Sequence, residues 1–123
     1  MADMANTYGL KLADFIDKRE TALVGREHGE ETLKLLKERK IILKSLEENY
    51  EHIIIIIPEK IVTINKSFFL GLFETRIQEL GEERFKQLYD FQTTEYIRKK
   101  IDKHISAALL TSTQKEILDD NAK

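Results

Sequence analysis

The sequence predicts a small α/β domain, a mixed or parallel sheet of short strands covered by about three amphipathic helices. Three observations carry that expectation. Apolar runs of strand length alternate along the chain with longer stretches of helical period. One run, residues 53–57, is five consecutive isoleucines; a strand apolar at every position is expected to be covered on both faces. At 123 residues, the chain is long enough for one domain with a single core.

Residues 1–7 are small and polar and read as a flexible N-terminus, with the domain at 8–110 and a polar C-terminal tail at 111–123. In YGLKLADFI, Tyr8, Leu10 and Leu12 alternate with Gly9, Lys11 and Ala13, which predicts an early strand. A charged connection ending in Leu23 and Val24 follows. Leu33, Leu36, Leu43 and Leu46 then recur at helical spacing, predicting one helix over about residues 26–48. Acidic residues lie near its start and basic ones later, the order that the helix dipole favours.

The isoleucine run comes next and stops at Pro58, which has no N–H for a central ladder. A second short apolar run, residues 61–64, leads into Asn65, Lys66 and Ser67. Beyond that turn, Phe69, Phe73, Ile77 and Leu80 form one stripe, widened by Phe68 and Leu72: a helix with a broad buried face. Gly71 inside it costs about 1 kcal/mol against alanine, so a close backbone approach, to the sheet, is expected there. Gly81 suits the helix end. A helical turn anchored by Phe85 and a strand at residues 88–91 follow. Thr93 or Thr94 can cap a last helix with Ile97, Ile101, Ile105 and Ala108 on its buried stripe.

Composition excludes several classes. There is no cysteine, so disulfides, thiolate catalysis and cysteine-bound zinc are absent. The formal net charge of −2 gives no global basic field, which argues against nucleic acid. No apolar run reaches the roughly 20 residues that span a bilayer. The first residues lack the basic-then-apolar pattern of a signal peptide. A cytoplasmic protein without a membrane segment is the expectation.

His28, His52 and His104 are scattered and in no metal-binding spacing, so no metal or other cofactor is expected. The pairs Glu47–Glu48, Glu82–Glu83 and Asp119–Asp120 sit in charged surroundings and read as solvated surface. Arg98, Lys99, Lys100 and Lys103 make the last helix locally basic; a solvated face is the expectation for such a charge run, and nucleic-acid contact, the minor alternative, is weakened because no stacking aromatics are interleaved.

Four segments share a family pattern. Arg26 to Gly29 in VGREHGEE, the isoleucine strand, Ser67–Phe68 in NKSFFLGLF, and Leu80, Gly81 and Phe85 in ELGEERF occur in the order of the STAS-like domain family of unknown function. The chain resembles that family over roughly residues 10–110. The group is related to the STAS domains of anti-sigma-factor antagonists and sulphate transporters.

The resemblance implies a non-catalytic regulatory module that binds a protein partner, by analogy a kinase-like ATPase. In the wider group, the turn before the second helix carries an Asp-Ser-Ser-Gly-like motif with a phosphorylated serine. Here Asn65 aligns with the aspartate, Lys66 with the usual acceptor and Ser67 with the next serine; a one-residue shift would make Ser67 the acceptor. Asn65, Lys66 and Ser67 are therefore the candidate partner-binding residues.

From the residues alone, Ser67 has two readings. It is a helix N-cap worth about 1 kcal/mol, the stronger expectation, or a phosphoacceptor whose phosphate would meet the positive helix end. Asn65 competes for the cap. Lys66 is a solvated loop lysine or a fixed positive charge for an acidic partner. Arg26 and Gly29 are candidates for anion binding at a helix start, against the simpler expectation that Arg26 pairs with Glu30.

Two rival functions remain open. One is a small self-associating or inhibitory protein of mobile-element or phage type, with a homo-oligomer in view. The other, ranked last, is a hydrolase or transferase using Ser67, which no G-x-S-x-G elbow supports.

Overall fold

The computed structural model of the chain describes the backbone of residues 6–121 and the side chains of residues 6–109. Of the expected flexible N-terminus, residues 1–5 lie outside the described residues; Thr7 already opens a strand. The fold is α/β. Its elements are β1 (Thr7–Lys11), a 3-10 turn (Leu12–Phe15), β2 (Ala22–Leu23), α1 (Arg26–Glu38), α2 (Leu43–Asn49), β3 (His52–Ile56), β4 (Thr63–Ile64), α3 (Lys66–Leu80), α4 (Glu82–Leu88), β5 (Tyr89–Gln92) and α5 (Glu95–Asn121). The backbone of the expected tail is thus helical through Asn121.

Strands β1, β3 and β5 form a parallel sheet in that order, and β2 pairs with β4 in a separate parallel ribbon. The register aligns Tyr8, Ile53 and Tyr89 in one row and Leu10, Ile55 and Phe91 in the next. These side chains share the inner face, where Leu10, Ile53, Ile55, Tyr89 and Phe91 are buried. Helix α3 presses Phe69 and Phe73 against Phe91, with ring centroids 5.9 and 5.7 Å away. Phe85 of α4 stacks on Tyr89 at 4.4 Å. The last helix closes the core with Ile97, Ile101, Ile105 and Ala108, all buried as the stripe predicts.

The isoleucine run corrects one expectation. It is covered on one face only. Ile53 and Ile55 are fully buried, but Ile54 and Ile56 face outward and are half-buried, beside exposed Gly9, Lys11, Asp90 and Gln92. Helices on a single side of the sheet, not both, account for the difference.

The predicted helix over residues 26–48 is two helices. Lys40 takes a left-handed conformation (φ 63°). Lys40 N–H donates to the Lys37 carbonyl at 2.9 Å and Ile41 N–H to the Leu36 carbonyl at 2.8 Å. That pattern is a Schellman stop, normally formed by glycine. The chain then turns before Leu43 restarts it as α2.

Gly71 does mark a close approach, though to a helix and not to the sheet. A Cβ on Gly71 would collide with the Arg26 carbonyl oxygen, and one on Gly29 with the Phe68 carbonyl oxygen; the Gly29 position lies 3.1 Å from the Gly71 Cα. The two glycines face each other where α1 crosses α3. This seam fixes the starts of both helices side by side.

Candidate functional site

The turn at residues 65–67 lies at that paired helix start, and Asn65 holds it. Its side-chain oxygen accepts from Phe68 N–H at 2.9 Å, capping α3, and from Gly25 N–H at 3.2 Å, at the entrance of α1. Its own N–H donates to the Leu23 carbonyl at 3.0 Å. One half-buried asparagine therefore ties β2, α1 and α3 together. Ser67 is not the cap, contrary to expectation: it lies inside the first turn of α3, because Asn65 stands at the N-cap and Lys66 begins the helix. Lys66 and Ser67 are both exposed.

Arg26 does not pair with Glu30. Its guanidinium donates to Glu74 on α3, Nη1 to Oε1 at 3.1 Å and Nη2 to Oε2 at 3.4 Å. The seam of α1 and α3 brings Glu74 within reach of Arg26. Gly29 is buried in the seam and its N–H donates to the Gly25 carbonyl at 3.1 Å. The two candidate anion-binding residues are thus engaged internally, Arg26 by a carboxylate and Gly29 by packing.

Behind the turn stands His104 of α5. Its Nε2–H donates to the Ile64 carbonyl at 2.9 Å, immediately before Asn65, and its ring lies 5.7 Å from Phe69. Burial holds the imidazole below its ordinary pKa; the Ile64 carbonyl opposes this, and Lys100 and Lys66 add to it. A neutral histidine thus braces the strand that delivers the turn. His28 has a different partner, Glu20, at 3.2 Å, and sets its ring edge against Phe68. Among the described residues, no group of three or more histidine and acidic side chains could hold a metal ion.

The sequence missed a second polar cluster. Glu47, expected as half of a solvated pair, has a side chain only 5% exposed. Both its oxygens accept from Arg76 of α3, Nε at 2.8 Å and Nη2 in a second contact. Tyr89 of β5 donates its hydroxyl to Glu47 Oε2 at 2.6 Å, and Arg76 Nη1 also meets Glu79 at 3.1 Å. Burial, then the Glu47 carboxylate, pushes the Tyr89 phenol well above its usual range, so it remains a donor. The Glu47 bond raises the already high pKa of Arg76. A signal was present: Glu47 lies four residues after Leu43 and Arg76 three after Phe73, each on the buried stripe of its helix. Glu48, one position round, is exposed. Side chains of Asp119 and Asp120 lie outside the described residues.

The basic stretch of α5 is partly used inside the molecule. Arg98 donates to the Phe91 carbonyl at 2.9 Å, Lys99 lies 3.6 Å from Glu95, and Lys100 sits over the Tyr96 ring at 5.3 Å. Among the described residues, no helix is long and apolar enough to cross a membrane.

No protein-family model, curated protein or solved structure matches the chain.

Proposed function

We propose that the protein is a non-catalytic regulatory module, similar to STAS-like domains, that binds a cytoplasmic signalling partner through the start of α3. By family analogy the partner is a kinase-like ATPase. One observation carries the proposal: Lys66 and Ser67 stand exposed on a turn that Asn65 and His104 hold fixed. A surface that is already ordered loses little entropy on docking. A lysine in place of the usual acceptor supplies permanent positive charge, which favours an acidic partner surface and constitutive binding over a phosphorylation switch.

The test is partner capture by the wild-type chain, by Lys66→Glu and by Lys103→Glu, a charge reversal elsewhere. Loss of a partner with Lys66→Glu alone is the expected result. Equal recovery of every partner by all three removes the turn from the binding surface. Intact mass after exposure to cell extract and ATP is expected to show no phosphate on Ser67.

A further inference from the structure

We propose that the open face of the three-stranded sheet is the seat of a second copy of this chain, in a two-fold dimer with its axis parallel to the strands. The outer rows are Thr7 and His52, then Gly9, Ile54 and Asp90, then Lys11, Ile56 and Gln92. A sheet with one solvated face ordinarily alternates apolar and polar residues. Here the central strand breaks that rule at two of its three outward positions, Ile54 and Ile56 beside exposed His52, and the sheet edges carry opposite charges, Lys11 on β1 and Asp90 on β5.

Those charges identify the occupant. A two-fold parallel to the strands lays β3 on its own copy and β1 over the partner's β5. The isoleucines then meet at the centre, and each β1 edge carrying Lys11 lies over a β5 edge carrying Asp90, offset by two residues along the strand and within reach of a lysine side chain, twice per dimer. Among the described residues, Asp90 Oδ1 accepts only from the neighbouring Phe91 N–H, at 2.9 Å. Among the described residues, Lys11 has no carboxylate partner.

Gly9 is an independent pointer. Glycine inside a strand is unfavourable and often marks a place where another group approaches closely. Among the described residues nothing demands it: its φ is ordinary and an added Cβ would meet only Ile56 Cδ1 at 3.6 Å, a normal contact. The space it leaves clear is in the row of Asp90, where the partner's β5 would lie. The face is small, so association is expected in the micromolar and not the nanomolar range.

Sedimentation equilibrium of the full chain from micromolar to near-millimolar concentration tests this. A concentration-dependent monomer–dimer equilibrium is expected. Lys11→Glu or Asp90→Lys alone should weaken it about tenfold, and the double reversal should restore it. Gly9→Val should abolish the dimer while leaving the monomer folded and at least as stable to denaturant, since valine suits a strand. A monomer at every concentration overturns the proposal and leaves the face to a different chain. A dimer indifferent to Gly9→Val and to the single reversals overturns it equally.

Discussion

Two arginine–glutamate pairs hang from helix α3 and meet opposite fates. Arg76 turns inward to Glu47, with side chains 11% and 5% exposed; Glu74 turns outward to Arg26, with 26% and 46% exposed. Both pairs join α3 to an earlier helix by two N–H···O contacts. The inner pair is withdrawn from solvent and has further partners in Tyr89 and Glu79. Water and salt screen the outer pair, whose worth is at most about 1 kcal/mol. The inner pair cannot be opened without stranding a charge in the core. One therefore fixes how α2, α3 and β5 fit together, while the other adds little to the seam between α1 and α3.

The largest effect should come from Arg76→Ala. It leaves the Glu47 carboxylate buried with only the Tyr89 hydroxyl beside it, a loss of about 3–5 kcal/mol in denaturant unfolding. Replacing the whole cluster (Arg76→Met, Glu47→Leu and Tyr89→Phe together) should recover most of that, because no buried charge or donor then lacks a partner. A loss below about 1 kcal/mol for Arg76→Ala would erase the distinction between the two pairs.

Sequence reading reached what long periodic stretches encode and little else. The stripes of α3 and α5 were legible because each buried side repeats over several turns, and Phe69, Phe73, Ile97, Ile101 and Ile105 are all buried as expected. Strand β2 was not, since two residues carry no period. The break at Lys40 was hidden because glycine is the usual signal and lysine holds the left-handed position instead. The open side of β3 was masked by its own composition: isoleucine on both faces describes a covered strand whether or not the chain itself supplies the cover. At the turn, residue types were legible but their division of labour was not. Asn65 and Ser67 can both cap a helix, and the choice depended on Gly25, forty residues upstream, needing the same acceptor.

Asn65 extends the comparison to an uncharged group of intermediate burial. Asn65→Ala withdraws the acceptor from two backbone N–H groups at once, so a loss of about 1–2 kcal/mol is expected. Asn65→Asp, which keeps the acceptor, should retain most of the stability. Equal losses in both variants would mean that packing, and not the two hydrogen bonds, holds the turn.

His104 adds a pH-dependent contribution. Its pKa is lowered on folding, so the unfolded chain binds the extra proton first. Stability is therefore complete above the ordinary histidine value of 6.5 and declines as pH falls below it toward the folded value. His104→Gln retains an N–H donor for the Ile64 carbonyl but cannot titrate. Its stability should fall less steeply than the wild type's in unfolding experiments between pH 7 and 5, whatever constant cost the lost ring contact with Phe69 brings. Parallel slopes would show that other groups carry the acid sensitivity.

The smallest effect belongs to the outer pair, and it sharpens the contrast most. Arg26→Ala should cost less than about 1 kcal/mol, and added salt should reduce the difference from wild type further. Double-mutant cycles put both pairs on one scale. The coupling between Arg26 and Glu74 should stay below about 1 kcal/mol, whereas that between Arg76 and Glu47 should be several times larger because either single change strands a buried partner. Were the couplings equal, the seam of Gly29 and Gly71 would be shielding Arg26 from water far more than its 46% exposure allows.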